Sequence, residues 1–569
     1  MRTKFFLPLS ILCLMTSSSL CGDVLYAEGN DPEFYFVGDQ KVILQRSSHL
    51  RALNVKGSSE AEVAGVMRQM AESGSAEPRS FESIPSKQTL LDRYGILLIE
   101  KKENKSENVG SFFDFIPSSA HQKGIPDSPV YSVENIEQIL VNEFIVRFTK
   151  QVTTEAQVKA VLHPYQGRII RKEVTDRNTY IVAFDVPNAL APDPLKALAM
   201  SNKLHQDKKH VSFSEPNFLR LYPKRPHSAQ QQGSTGTKTT APTITSISIV
   251  KPNDPLYSKQ WSLSITGADI AWQHTKGSEK VTIAILDEGV DTSHPDLAQK
   301  IVSPYDATDN DNNQDPEKGD NHGTACAGIA AAATDNKTGI SGASWYAKIM
   351  PVRIATGAQE GGWITSNEII ARGIRKAVER KASILSNSWG GGTASNLINS
   401  AIDDAIKQRR IVVFAAGNDS GSVSYPANLS STKPIIAVSA TNEWDEFKTQ
   451  NSKDGENWWG SNFGPEVSLA APGVHMATTD NTNAIEGDGT YLDNFNGTSS
   501  STPLVAGIAA LLLSKYPNLS PADIRKHLQD TADDKGVPGF DYQFGYGRVN
   551  AAKALTTEPV TTMSKMQRK

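Results

Sequence analysis

Four residues in the C-terminal half of the chain are of the types needed to cleave an acyl bond. Ser499 follows the turn Asn496-Gly497-Thr498 and opens onto an apolar stretch over 504–513. A hydroxyl at a helix N-terminus lies among free amides and aligned peptide dipoles, which favour developing negative charge. His322, in Asn321-His322-Gly323-Thr324, offers an imidazole to take the serine proton. Asp287, directly after the apolar run 281–286, offers a carboxylate to fix the imidazole tautomer and stabilise its cation. Asn418, in Ala415-Ala416-Gly417-Asn418, offers a side-chain amide that could hold an oxyanion together with the Ser499 N–H. Taken singly, each has an ordinary structural use, as turn residue, core histidine or cap. The set points to nucleophilic acyl transfer by an activated serine.

Those side chains need a scaffold that brings them together. From residue 251 to about 555 the pattern is α/β. The runs at 281–286, 382–385 and 411–416 have the continuous apolar character of buried parallel strands. Amphipathic helices are expected at 367–380 and 395–408, and a central buried helix at 505–516, bounded by Pro503 and too short to cross a bilayer. Ligands of such sheets lie at the strand carboxyl ends, and Asp287, Ser388 and Asn418 all fall just past one.

Upstream, residues 140–222 read as strand 144–148, helix 153–162, strands 168–174 and 179–184, helix 194–204 and strand 211–221. That order, β-α-β-β-α-β, fits a ferredoxin-like α+β module. Residues 28–139 mix strands (within 31–55 and at 94–99), a short helix at 61–71 and a loop at 106–128, with no catalytic constellation. Residues 223–250, rich in Gln, Ser, Thr and Gly, read as a flexible linker suited to proteolytic processing. Residues 1–27 read as a secretory signal, with Arg2 and Lys4 ahead of an apolar run at 5–15. The expected division is 1–27, 28–139, 140–222, 223–250, 251–556 and a polar tail at 557–569.

The whole chain has 569 residues, of which 38% are hydrophobic and 21% charged, with a formal net charge of −4. No strongly basic block marks it as a nucleic-acid binder, and no membrane span is expected. Cys13 and Cys21 belong to or border the signal, which leaves Cys326 as a single thiol and no internal disulfide. Residues 140–225 carry a net +6 and residues 226–569 a net −6, as suits two modules that dock.

The Asp287 box, the His322-Gly323-Thr324 box, Gly417-Asn418 and Gly497-Thr498-Ser499 with Pro503, in the chain order Asp, His, Ser, resemble the subtilisin-like serine proteases of the subtilisin/kexin family. The resemblance runs to Gly545-Tyr546-Gly547-Arg548-Val549-Asn550 and implies a parallel sheet flanked by helices. It implies a secreted serine endopeptidase acting through an acyl-enzyme. Ser499, not Ser500 or Ser501, would be the nucleophile, with His322 as base then acid, Asp287 as its orienter and Asn418 as oxyanion donor. Alternatives are a processing protease restricted to specific partner proteins and a catalytically inactive binding relic.

Further expectations come with that resemblance. Ser388, Trp389, Gly390 and Gly391 would form the strand that pairs with extended peptide. Asn387-Ser388-Trp389-Gly390 and Cys326 are similar to the kexin branch. Residues 391–395 carry no acid, however, so a broad or apolar preference is expected rather than a dibasic one. Asp254, Asp296 and Asn336 resemble the family's strong Ca²⁺ site, with carbonyls around Ala333, Thr338 and Ile340 completing it. The acid-rich loop of Asp306, Asp309 and Asp311 is a second candidate for Ca²⁺. Residues 140–222 resemble the family's propeptides, with Ser214-Glu215-Pro216-Asn217 as the last strand. The expected partners are protein or peptide substrates and this propeptide, which would act as intramolecular inhibitor and chaperone.

Overall fold

The computed structural model describes residues 32–48, 50–55, 76–78, 90–94, 96–101, 127–176, 178–185, 193–223, 249–317, 319–357, 362–482 and 490–560. The signal, the helix expected at 61–71, the loop at 106–128 except for its last two residues, and most of the linker and tail lie outside them. The C-terminal unit is built on seven parallel strands, ordered Tyr305–Asp306, Lys348–Arg353, Thr282–Asp287, Ile384–Asn387, Ile411–Ala415, Ile436–Thr441 and Leu469–Pro472. Their apolar runs are covered on both faces. One face carries the helices His322–Ala331 and Thr498–Lys515, packed with Ile283, Val413 and Val438. The other carries Asn367–Glu379 and Asn396–Lys407, packed with Leu286, Leu385 and Phe414. Burial on both faces is why these strands read as continuous apolar runs.

The upstream unit has the expected element order. Its antiparallel sheet is arranged Gly167–Lys172, Thr179–Phe184, Phe144–Phe148, Val211–Pro216, with the helices Glu155–Leu162 and Pro194–His205. The period-two alternation sends its strands to two different cores. Phe144, Val146, Phe148, Tyr180, Val182 and Phe184 pack on the unit's own helices. Ile145, Ile181 and Phe213 point the other way, into the core of the C-terminal unit. Burying such a side chain stabilises by roughly 1.5–3 kcal/mol, and here the burial requires the two units to be docked.

Polar groups complete that contact at two helix N-termini. Glu215, fully buried, accepts from Asn396 N–H (2.7 Å), Leu397 N–H (3.1 Å) and Ser395 Oγ–H (2.7 Å). Burial raises the carboxyl pKa, and these donors oppose the rise. Asn217 Oδ1 accepts from Glu368 N–H (3.2 Å) at the start of the neighbouring helix. The ion pairs run in both senses. Arg171 meets Glu368, while Glu173 and Asp176 meet Arg372 and Arg375. The +6/−6 division of charge therefore does not dictate the individual pairs.

The strand expected at 211–221 is two strands. Val211–Pro216 stays in the upstream sheet, whereas Leu219–Tyr222 enters a second sheet ordered Thr356–Gly357, Trp363–Ser366, Leu219–Tyr222, Ile136–Ile139, Val130–Val133. That sheet joins all three parts of the chain. Another sheet, ordered Ala76–Pro78, Ile96–Lys101, Leu50–Asn54, Asp127–Ser128, and the hairpin Phe34–Val37/Gln40–Ile43 belong to the N-terminal segment. Asn396 Nδ2–H donates to Phe36 O (2.9 Å) and Gly38 N–H donates to Asn396 Oδ1 (2.7 Å), so the hairpin also sits on the C-terminal unit.

Candidate active site

Asp287 is the last residue of its strand, His322 the first of its helix and Ser499 the second of its helix. Gly323 permits the first two to meet. A Cβ there would lie 2.0 Å from Gly289 O and 3.0 Å from Asp287 Cβ, so only glycine lets the helix start against the strand end. His322 Nδ1 lies 2.9 and 3.1 Å from the two Asp287 carboxylate oxygens. Burial disfavours the imidazolium, but the Asp287 carboxylate and its hydrogen bond outweigh that and raise the His322 pKa well above its ordinary value. The ring packs edge-on between Trp363 and Phe495, at 5.4 Å from each.

The serine helix begins at Thr498, earlier than the apolar pattern suggests, and Pro503 lies inside it. Proline has no N–H to give the carbonyl four residues back, which is that of Ser499. Other donors take that carbonyl: Ser388 Oγ–H (2.8 Å) and Cys326 Sγ–H (3.5 Å). The Ser499 hydroxyl itself donates to Ser388 O (3.1 Å). Its first-turn N–H has no intrahelical acceptor. Asn418 Oδ1 accepts from Thr498 N–H (2.8 Å) and Thr498 Oγ1–H (2.7 Å), which leaves its NH₂ group to face outward. A Cβ placed on Gly497 (φ +106°) would lie 3.0 Å from Asn418 Nδ2 and 3.5 Å from Ser499 N. Two hydrogen-bond donors thus border one small space that glycine keeps open, the arrangement an oxyanion requires.

Two residues that the motif reading passed over hold this site. Glu288 Oε1 accepts the His322 backbone N–H (2.6 Å), and its other oxygen accepts the Trp363 indole N–H. Burial and the adjacent Asp287 raise the Glu288 pKa. Its position directly after Asp287 was the available signal. Trp363 had none, because nothing local links it to His322. Cys326 is buried behind the imidazole, its Sγ 3.9 Å from Nδ1, and burial raises the thiol pKa.

Among the expected substrate residues, Ser388 contacts Ser499 as described. Trp389 is turned into the core, its ring 5.2 Å from Phe414 in edge contact. Gly390 and Gly391 follow past the strand end, Gly391 N–H donating to Tyr425 O (2.7 Å). Among the described residues, Leu219–Tyr222 is laddered by Trp363–Ser366 on one edge and by Ile136–Ile139 on the other, not by 388–391.

The structure treats the two proposed metal sets differently. Asp254 and Asp296 are buried, and Asn336 bridges them, its N–H donating to Asp254 (3.0 Å) and its Nδ2–H to Asp296 (2.8 Å). Neither carboxylate forms an ion pair with a basic side chain among the described residues. Two buried anions beside an amide suit a hard divalent cation. Asp306 and Asp311 pair through backbone hydrogen bonds (3.0 and 3.1 Å), and Asp309 N–H donates to the Asp306 carboxylate (3.3 Å), but the three carboxylates do not converge. Asp306 accepts from Thr308 (2.6 Å) and lies 3.7 Å from Arg353, Asp309 pairs with Arg93, and Asp311 accepts from Asn313 N–H (2.8 Å). Among the described residues, the one trio of Asp, Glu, His or Cys with converging ligand atoms is Asp287, His322 and Cys326.

Residues 278–547 match the Subtilase family. The chain is 38% identical to thermitase of Thermoactinomyces vulgaris over 53% of this chain and 99% of thermitase. It is 31% identical to a thermophilic serine proteinase of Bacillus sp. (strain AK1) over 78% of this chain and 96% of that one. The crystal structure of fervidolysin from Fervidobacterium pennivorans, a keratinolytic enzyme related to subtilisin, superposes with a TM-score of 0.59 at 26% identity, covering 76% of this chain and 62% of that one. These relatives define the class: the chain belongs to the subtilase family. It is a subtilisin-like serine endopeptidase.

Proposed function

We propose that this endopeptidase is exported and made as a self-processing zymogen, with Ser499 as nucleophile. The observation that carries the assignment is the Asp287–His322 pair, joined through their shared neighbour Cys326 to a serine whose N–H and Asn418 border one open space. Ser499 Oγ turns from Ser388 O towards the free imidazole nitrogen, which takes its proton as the oxygen attacks a peptide carbonyl. Asp287 stabilises the imidazolium. The tetrahedral oxyanion enters the space between Asn418 Nδ2 and Ser499 N. His322 returns the proton to the leaving amine, and water then repeats the sequence on the acyl-enzyme.

Residues 140–222 act in this reading as the inhibitory leader. Leu219–Tyr222 lies as an added strand on Trp363–Ser366, and Tyr222 is paired with Trp363, whose ring contacts His322. Cleavage in 222–250 would free the cleft. Residues 1–27 direct export. The test is labelling of the purified chain with a fluorophosphonate, with the adduct mapped to Ser499, together with N-terminal sequencing of any shortened form. An unlabelled Ser499, or a shortened form starting inside 140–215, would refute the reading.

Asn418→Ala is expected to lower kcat by roughly 10²–10³-fold with little change in KM, because the amide acts on charge that develops only in the transition state. That scale is the one known for the corresponding amide in subtilisin. Steady-state kinetics on a peptide ester decides it.

Asp254, Asp296 and Asn336 would hold Ca²⁺, which would supply charge neutralisation and tie the start of the unit to the loop after the histidine helix. Saturation at about 100 times Kd adds roughly 2.7 kcal/mol to the folded state, or about 5–10 °C in Tm. Chelator titration of Ser499→Ala protein, which cannot digest itself, should show that fall, and Asp296→Asn should abolish the difference. An unchanged Tm would remove calcium from this site.

A further inference from the structure

The strand Leu219–Tyr222 does more than fill a groove. Its register on Trp363–Ser366 is Leu219↔Ser366, Arg220↔Thr365, Leu221↔Ile364 and Tyr222↔Trp363. It therefore runs towards His322, and its side chains lie where those of a bound peptide would lie. Arg220 is the informative one. It is a long cation, yet only 1% exposed. Its guanidinium donates from Nε to Asn367 Oδ1 (2.8 Å), from Nη1 to Gly391 O (3.0 Å) and from Nη2 to Thr393 O (2.6 Å). All three acceptors belong to the C-terminal unit and would remain after the leader departs.

The pocket is shaped for that group. Gly391 and Gly392 have φ of +101° and +77°, a backbone course that aims carbonyls inward and that side chains rarely adopt. A Cβ on Gly392 would lie 2.7 Å from Arg220 Nη1. Asn367 is the first residue of its helix; with the leader in place its Nδ2–H donates to the leader's Pro216 O (3.2 Å) while its Oδ1 faces the guanidinium. No carboxylate pairs with Arg220 among the described residues. Selection therefore depends on the spacing of neutral acceptors, which a planar fork of N–H groups can satisfy together. A lysine brings one ammonium centre and cannot span all three. An aliphatic side chain leaves the three acceptors unpaired.

We infer that the cleft contains an arginine-binding pocket, formed by Asn367, Gly391, Gly392 and Thr393, and that it selects peptide substrates with arginine at one fixed position upstream of the scissile bond. The inference rests on the reading of Leu219–Tyr222 as occupying the substrate's place. It differs from the broad or apolar preference expected from the missing acidic residues at 391–395, because backbone carbonyls leave no trace in residue types.

The test is cleavage of a peptide library by the purified full chain after whatever processing it performs, with cut sites located by mass spectrometry. Arginine is expected at a single upstream position, with kcat/KM at least about tenfold above the leucine or lysine peptide. The arginine-to-leucine ratio should fall towards one in Gly392→Val, where the added carbons occupy the place of Nη1, and in Asn367→Leu. Wild-type enzyme that cuts the library with no upstream arginine preference would overturn the pocket and leave the protease reading intact. A wild-type ratio that survives both substitutions would assign the preference to another site and overturn this pocket. A chain that neither cuts the library nor reacts with a fluorophosphonate would overturn both.

Discussion

Ser499→Ala is expected to yield a folded chain that keeps its leader indefinitely. The change removes one oxygen from a partly exposed position and with it only the bond to Ser388 O; Ser388 Oγ and Cys326 Sγ contact the serine's backbone carbonyl, which alanine keeps. Folding should therefore be little affected. Peptidase activity should fall by roughly 10⁶-fold, the scale known for subtilisin, a relative of this chain. Mass spectrometry of both proteins after the same incubation gives the answer. Wild type should lose the segment ending in 222–250, and Ser499→Ala should retain it. Two outcomes would refute the assignment: a shortened Ser499→Ala chain in the absence of any other protease, or residual activity within about a hundredfold of wild type.

Asp287→Asn is expected to cost about 10⁴-fold in kcat while leaving the site's shape almost unchanged. The carboxylate now accepts from His322 Nδ1, which leaves the other ring nitrogen free to take the serine proton. An asparagine can instead donate to Nδ1. The proton then resides on the far nitrogen, and the ring faces Ser499 as a donor. The same substitution removes the charge that raises the His322 pKa, so the imidazole should titrate at lower pH. Because the base must be neutral, the acid limb of the wild-type pH–rate profile falls as pH drops through the raised His322 value. In Asp287→Asn that limb should move to lower pH. An unmoved limb with unchanged kcat would show that Asp287 does not orient the base.

The four candidate residues and most elements around them were legible because their signals are local. A buried strand ending in aspartate, a glycine after histidine and a Gly-Thr turn before serine each describe only a few neighbouring residues. The start of the serine helix was misplaced because Pro503 reads as a boundary. In the fold it sits inside the helix, since Ser388 and Cys326 supply the donors that proline lacks. The strand expected at 211–221 broke after Pro216, which cannot donate to a ladder. Its continuation found a partner in Trp363–Ser366, far along the chain.

The sequence alone therefore determined the reaction type, the α/β scaffold and the order of the upstream module, because residue type and short periodicity encode them. The tertiary structure decided what surrounds the chemistry. It seated Glu288 and Trp363 against His322, turned Trp389 into the core, sent the carboxylates of Asp306, Asp309 and Asp311 to different partners, and enclosed Arg220 in carbonyls. The reason is physical. Backbone donors and acceptors are alike in every residue except proline, and which of them meet is set only when distant segments pack.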